Sequence, residues 1–226
     1  MLFAVLALLL LAVIVLPQFW VRHTLAKHGD DRPDIPGTGG ELARHLLDRF
    51  SLPDVPVETS DRGDHYDPQA RAVRLSENVY SGRSLTAVAV AAHEVSHAVQ
   101  HANGERSFRA WQGLARFAMV TDKAAGIFFI AAPFLAILAR TPMALVALLA
   151  VGVGLLSVRV LVTLATLPVE LDASFGKALP VLEKGAYVSE TDMPAVRSVL
   201  KAAALTYLAA ALITLVDLAR WVRLLR

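Results

Sequence analysis

The 226-residue chain contains no cysteine. This absence excludes disulfide bonds and thiolate metal ligands, so histidine and carboxylate side chains are the ligands left for any metal site. An excess of one charge is also absent, because 22 Lys and Arg residues are nearly balanced by 20 Asp and Glu residues. The resulting net charge of +2 is too small to argue for a nucleic-acid partner.

Hydrophobic residues make up 55% of the chain, which is a high share for a soluble globular protein. The apolar run at residues 2–16 has no basic residue before it and is followed by Trp20. It predicts an uncleaved anchor helix, with a cleaved secretory signal as the alternative. Two runs, 117–139 and 143–167, are each long enough to cross a bilayer of about 30 Å. The run at 202–219 predicts a fourth span.

The distribution of basic residues predicts the orientation of these spans. Four spans place both termini on one side of the membrane and the polar segments 22–116 and 168–201 on the other. Lys and Arg are more numerous in the polar segments, which favours a cytoplasmic position for them. The basic C-terminus, with Arg220, Arg223 and Arg226, argues in the opposite direction.

Capping residues predict two helices in the first polar segment. Thr38 and Glu41 form a capping box that predicts a helix through about Phe50. Ser84 can cap a second helix, which ends near Ala102.

Between these helices, two short stretches have the pattern of strands. Val55–Thr59 and Ala70–Leu75 are partly alternating and predict two strands, with residues 64–68 as a turn between them. Val73–Leu75 is predicted either as an edge strand, which could pair with an extended polypeptide, or as an ordinary core strand.

The second of these helices carries the sequence His93-Glu94-Val95-Ser96-His97. Residues four apart lie on the same face of a helix, about one turn from each other. Both imidazoles can therefore bind a single ion at the roughly 2.1 Å that zinc requires. Glu94 is rotated by about 100° from His93, so it is poorly placed as a third ligand and well placed to accept a proton from water at the metal.

The residues around this motif predict that its helix is buried. They are small and apolar: Ala87, Val88, Ala89, Val90, Ala91, Ala92, Val95, Ala98 and Val99. Burying two histidines and a glutamate in such a helix is costly unless they bind a metal or pair with other groups. The alternative is a solvated helix on which the histidines are incidental.

A third ligand must come from another segment, because about 12 Å of helical rise separates His101 from His93. Single-metal hydrolases of this kind usually complete the set with a carboxylate. Glu170 is the predicted ligand, since it follows Pro168 in the first turn of a helix on the same predicted side of the membrane. Asp172 is a second candidate, or else it orients an imidazole N–H. Alternatively, Glu170 is only a first-turn acid favoured by the helix dipole.

With these residues, the chain resembles the bacterial neutral zinc metallopeptidase family often called YugP-like, a membrane relative of the gluzincin peptidases. The resemblance spans nearly the whole chain. Beyond the N-terminal anchor, it rests on Asp64-His65-Tyr66-Asp67-Pro68, Val73-Arg74-Leu75-Ser76, Ala91-Ala92-His93-Glu94-Val95-Ser96-His97-Ala98, Leu167-Pro168-Val169-Glu170 and Ala203-Ala204-Leu205-Thr206-Tyr207. The resemblance implies a zinc-dependent peptidase in which His93, His97 and Glu170 hold Zn²⁺ and Glu94 is the general base.

Two positions depart from the related patterns. Ser96 stands where the family motif has a glycine, and Ser174 stands where the HtpX-like membrane proteases have an aspartate. Serine is small and this position lies inside the predicted helix, so the expectation that His93 and His97 bind zinc is unchanged. The second departure weakens any transfer of the HtpX-like contacts around the metal.

A peptidase also needs a hydrogen-bond donor for the oxyanion that forms during hydrolysis. Tyr66, His65 and His101 are the candidates, and each could instead be a surface or turn residue. The predicted catalytic residues are Glu94, Tyr66 and His65.

These features predict a mainly α membrane protein with about four transmembrane helices and a small α+β zincin-like metallopeptidase domain. The predicted divisions are an N-terminal transmembrane anchor at 1–21, the metallopeptidase domain at 22–116, two transmembrane helices at 117–167, the segment that supplies the third zinc ligand at 168–201, and a C-terminal transmembrane helix at 202–226.

The predicted function is that of a zinc-dependent endopeptidase, multi-pass in the plasma membrane, with its site on the cytoplasmic side. A polypeptide substrate and the lipid bilayer are the predicted partners, nucleic acid is not, and the oligomeric state is left open. One alternative is an inactive membrane scaffold with a structural zinc, which requires a fourth protein ligand. Another is a metal transporter, which requires ionisable residues inside the spans.

Overall fold

The computed structural model describes residues 2–139 and 141–224, and these are mainly helical. The eight α-helices are α1 (Leu2–Lys27), α2 (Gly39–Arg49), α3 (Glu77–Tyr80), α4 (Leu85–Ala102), α5 (Arg106–Ala139), α6 (Pro142–Leu171), α7 (Leu179–Lys184) and α8 (Met193–Leu224). A π-helical segment, Asp172–Ala178, continues α6, and a 3₁₀ turn, Glu190–Asp192, precedes α8.

The chain divides into two compact units. One unit consists of Trp20–Arg109 and Pro168–Thr206, and it contains α4, the sheet and the π-helical segment. The other consists of the remaining parts of α1, α5, α6 and α8. Within this second unit several large apolar side chains are 71–72% exposed: Ile127, Ile130, Phe134 and Ile137.

Three short strands form the sheet, in the order β1 (Val57–Thr59), β3 (Ala72–Leu75), β2 (His65–Asp67). Strand β1 is parallel to β3, and β2 is antiparallel to it. The prediction of a turn at residues 64–68 is therefore wrong for 65–67. The pairing of Tyr66 with Val73 buries the tyrosine ring, and that long-range contact is invisible in the local sequence.

The order of the strands also decides between the two interpretations of Val73–Leu75. Strand β3 is central, so both of its edges are already paired and an added polypeptide cannot join it. The edge-strand prediction is wrong, and the alternative of a core strand is confirmed, because Val73 and Leu75 are fully buried.

Helix α4 lies at the centre of the first unit. It contacts α2, α3, α7, the strands β2 and β3, and the π-helical segment, so almost every side chain from Leu85 to Ala98 is buried. Its N-terminus is capped as predicted, with the Ser84 hydroxyl accepting a hydrogen bond from the amide of Ala87 at 3.0 Å. This burial fixes the positions of the polar side chains that α4 carries.

The prediction of about four transmembrane helices is wrong. The apolar runs do form helices, but within the described residues only one stretch, Glu190–Leu212, is long and apolar enough to cross a membrane. Of its most apolar part, 44% is buried inside the protein, and the core helix of a soluble protein can be equally long and apolar. The expectation of four spans rested on the length of apolar runs, which is a criterion of composition and does not by itself establish a span.

Helix α2 begins at Gly39, and its capping box is confirmed, with Thr38 and Glu41 bonded reciprocally. A Cβ added at Gly39 would lie 2.2 Å from the carbonyl oxygen of Val79 and 3.0 Å from that of Ala87. The absence of a side chain at Gly39 therefore lets α2 approach the backbones of α3 and α4.

We expect Gly39→Ala to lower the melting temperature, because the added methyl group must displace α2, and strain of this kind costs about 1–3 kcal/mol. Thermal unfolding followed by circular dichroism measures the change. Gly113→Ala is the control, since nothing lies within 4 Å of its added Cβ. That control should melt at the wild-type temperature or slightly above it, because alanine favours a helix. Equal melting temperatures for Gly39→Ala and the wild type would contradict this packing.

Candidate metal centre

Helix α4 and the end of α6 bring together three side chains that could hold a metal ion. The Nε2 atoms of His93 and His97 are 3.2 Å apart. The Oε2 atom of Glu170 lies 3.2 Å from Nε2 of His97 and 3.4 Å from Nε2 of His93. Ligand atoms bound at 2.0–2.1 Å in tetrahedral geometry are about 3.3 Å apart, so the spacing of these three atoms fits a zinc-sized ion.

The three side chains are almost completely buried, with His93 and Glu170 each 2% exposed and His97 5%. The second carboxylate oxygen of Glu170, Oε1, is buried and has no hydrogen-bond partner among the described residues. A buried acceptor without a partner is costly, and a cation beside it removes that cost. The donor set and this unsatisfied oxygen therefore both fit a divalent metal.

The electrostatics of the cluster also favour positive charge at its centre. Burial raises the pKa of Glu170, but the two imidazoles outweigh burial and lower that pKa to about 2. Burial lowers the pKa of His97, but the Glu170 carboxylate outweighs it and raises that pKa to about 9. Glu170 is therefore an anion that attracts a cation to the two histidines.

Hydrogen bonds to the outer nitrogens fix the orientation of both imidazoles. The Ser174 hydroxyl donates to the carbonyl oxygen of Leu200 at 2.8 Å, so it accepts from Nδ1 of His93 at 2.9 Å. Nδ1 of His97 lies 2.9 Å from Oε1 of Gln100. With Nδ1 as the hydrogen-bond donor, each ring turns its Nε2 atom toward the cluster, as metal binding requires.

Glu94 is 6% exposed and follows His93 on α4. Burial raises its pKa, whereas the charges of His93 and His97 lower it, and burial prevails. In the described part of the chain its carboxylate forms no hydrogen bond, so it is free to accept a proton. Glu94 is not one of the three side chains whose donor atoms cluster, and its role as general base stays a prediction.

The chain matches a known protein family over nearly its whole length. A family described as "Putative neutral zinc metallopeptidase" matches residues 3–226. The chain belongs to this family of zinc metallopeptidases. A curated relative, "Putative membrane protease YugP" of Bacillus subtilis (strain 168), is 40% identical over 225 residues, which cover 98% of this chain and 96% of the relative. No solved structure matches the chain. The resemblance inferred from the motifs is confirmed.

The other two predicted catalytic residues, Tyr66 and His65, have different surroundings. The Tyr66 hydroxyl is 2.9 Å from Nδ1 of His101, and Phe108 packs against the rings of both His101 and His97. Burial raises the pKa of Tyr66 to about 12, so its hydroxyl stays protonated at neutral pH. His65 instead donates from Nδ1 to a backbone carbonyl 3.0 Å away, that of Gly63, and the described residues show no contact between it and the cluster.

Three further side chains around the cluster, Asp172, Gln100 and Ser174, make contacts that the sequence did not predict. The side chain of Asp172, the second ligand candidate, accepts hydrogen bonds from Gln100 and Lys177 and lies outside the cluster. Gln100 was not predicted at all, and Ser174 was noted only for its departure from a related pattern. The available signal was polarity, because Gln100 interrupts an apolar helix three residues after His97, on the same side.

We expect Ser174→Ala to weaken zinc binding about 10- to 100-fold, because His93 loses the acceptor that orients it. Titration against a zinc-binding dye measures the dissociation constant. Ser96→Ala is the matched control, since Ser96 is also buried but bonds to the carbonyl oxygen of Ala92 in its own helix. That control should bind zinc as the wild type does. Equal dissociation constants for Ser174→Ala and Ser96→Ala would contradict the proposed role of Ser174.

Proposed function

We propose that the protein is a zinc-dependent endopeptidase whose metal is held by His93, His97 and Glu170. One observation carries the proposal: three buried donor atoms lie 3.2–3.4 Å apart. Glu94 lies on the same helix as the two histidines, and its carboxylate interacts electrostatically with all three side chains. Membership in a zinc metallopeptidase family supports the choice of both the metal and the reaction.

The residues around the metal have separate tasks in this proposal. The metal, when bound, supplies Lewis acidity that activates water and polarises the scissile carbonyl group. Glu94 accepts the proton of the attacking water on its carboxylate and delivers it to the leaving amine. Burial suits Glu94 to this task, because a raised pKa brings a carboxylate nearer to the pH at which it both takes and gives a proton.

Tyr66 is the proposed donor to the oxyanion. Its phenol is protonated and buried, and it lies beside His101 and Phe108, the second of which also contacts His97. A neutral hydroxyl that donates a hydrogen bond stabilises developing negative charge. A catalytic role for His65 stays a prediction, since among the described residues its side chain hydrogen-bonds to the backbone carbonyl of Gly63.

The number of protein donors favours the enzyme over a scaffold with a structural zinc. A structural site is closed by four protein ligands, whereas a catalytic site keeps one position for water or substrate. Among the described residues the cluster holds three such donors. A transporter is less well supported, because the cluster lies on α4 and at the end of α6, outside the one stretch that could span a membrane.

The proposal includes association with a membrane. The Bacillus subtilis relative is named a membrane protease, and the stretch Glu190–Leu212 together with the exposed apolar side chains of the second unit supports the same location for this chain. The expected cytoplasmic position of the site was deduced from four spans, and it loses its support with them. The proposed substrate is a polypeptide.

We expect Glu94→Gln to reduce peptide hydrolysis at least about 100-fold, because the amide cannot accept the proton of the attacking water. Zinc content should stay at the wild-type level, since Glu94 is not a proposed ligand. Cleavage of an unfolded protein such as casein, together with metal analysis, measures both quantities. Glu190→Gln changes an exposed glutamate and should leave the activity intact. Wild-type hydrolysis by Glu94→Gln would remove this residue from the mechanism.

Removal of the metal should abolish hydrolysis and lower the melting temperature. The second effect is expected because Glu170, His93 and His97 are buried around the ion, and a ligand that binds only the folded state stabilises it. Treatment with a chelator, followed by titration with Zn²⁺, measures loss and recovery of both quantities. Full activity at zero metal content would contradict the proposed function.

A further inference from the structure

Gln100 is fully buried on α4 and uses both ends of its amide. Its Oε1 atom is 2.9 Å from Nδ1 of His97. Its Nε2 atom donates to the backbone carbonyl oxygen of Val169 at 3.1 Å and to the carboxylate of Asp172 at 2.8 Å. The side chain therefore contacts a histidine of α4 and both flanks of Glu170.

The orientation of the amide follows from these partners. The carbonyl of Val169 can only accept a hydrogen bond, so the Gln100 nitrogen must face it. Asp172 is paired with the ammonium group of Lys177, so its carboxylate also acts as an acceptor. The Gln100 oxygen is thereby turned to His97, and Nδ1 of His97 must donate to it. This turns Nε2, the atom that would bind the metal, toward Oε2 of Glu170, 3.2 Å away.

We propose that Gln100 is a positioning residue that sets the metal ligands of both segments at once, the ring of His97 and the backbone around Glu170. The inference rests on the proposed function, since it concerns the same metal. Gln100 does not touch the cluster's centre and acts through the residues that do. It joins two ligands that are 73 residues apart in the chain.

Ion pairs fix the position of Asp172, whose carboxylate accepts a hydrogen bond from Gln100. Lys177 bonds to Asp172 and lies 3.1 Å from a carboxylate oxygen of Glu105, which follows the end of α4. The acceptor on which Gln100 depends is therefore itself fixed. Loss of Gln100 would free the ring of His97 to rotate and would loosen the chain on both sides of Glu170, so that the three donor atoms no longer keep their spacing.

The test replaces Gln100 by a side chain of similar size that cannot form these bonds. We expect Gln100→Met to bind Co²⁺ and Zn²⁺ about 10- to 100-fold more weakly than the wild type, because loss of an outer partner of a ligand has effects of this size. The visible absorption bands of the Co²⁺-loaded protein report ligand geometry, and they should shift or weaken. Gln100→Asn, which is too short to reach His97 and Val169 together, should change both quantities in the same direction.

Ser96→Ala, on the same buried helix, is the control and should match the wild type in affinity and spectrum. If Gln100→Met does not fold, Gln100→Asn decides the question. A purely structural role for Gln100 would lower the melting temperature of the metal-free protein while leaving the metal affinity and the Co²⁺ spectrum of the folded variants unchanged, and that result would overturn the inference. A wild-type protein that binds no metal would overturn the proposed function as well, so the two failures can be distinguished.

Discussion

The pairing of one buried carboxylate with two buried imidazoles is the interaction on which the site depends. Each group alone would be costly to remove from water, and the attraction among them offsets that cost only when the geometry is close. Glu170 and His97 meet this condition at 3.2 Å, with the other histidine 3.4 Å from the same oxygen. The apolar surroundings of α4 strengthen the interaction, because they exclude the solvent that would screen it.

The segment that ends α6 positions His93 from two directions. Glu170 lies near its Nε2 atom, and Ser174, four residues later, binds its Nδ1 atom at 2.9 Å. Between them the helix changes to π-helical geometry at Asp172. Such segments are rare and occur frequently at functional sites, where the altered pitch redirects side chains. A continuous stretch of chain thereby provides a proposed ligand and the partner that orients another ligand.

Local signals carried most of what the sequence predicted correctly. The caps at Thr38 and Ser84 and the spacing of His93 and His97 depend on residues within one or two turns, so the helices and the paired imidazoles were predictable. Strand β2 was missed because its pairing with β3 is a long-range contact. The bonds of Gln100 span about 70 residues, and no local pattern shows them. The predicted number of spans was wrong for a different reason. The length of an apolar run does not by itself establish that the run crosses a membrane.

The Glu94 carboxylate differs in its hydrogen bonding from the other buried polar side chains on α4. Three of the buried polar side chains on α4, His93, His97 and Gln100, have close polar partners, whereas the Glu94 carboxylate forms no hydrogen bond within the described chain. Burial raises the pKa of this carboxylate, so keeping it charged costs free energy that an apolar side chain at the same position would not cost. Proteins retain groups of this kind where chemistry requires them. A proton acceptor of this kind, on the same helix as two of the three donors that could hold a metal, fits the proposed hydrolysis better than it fits a structural metal site.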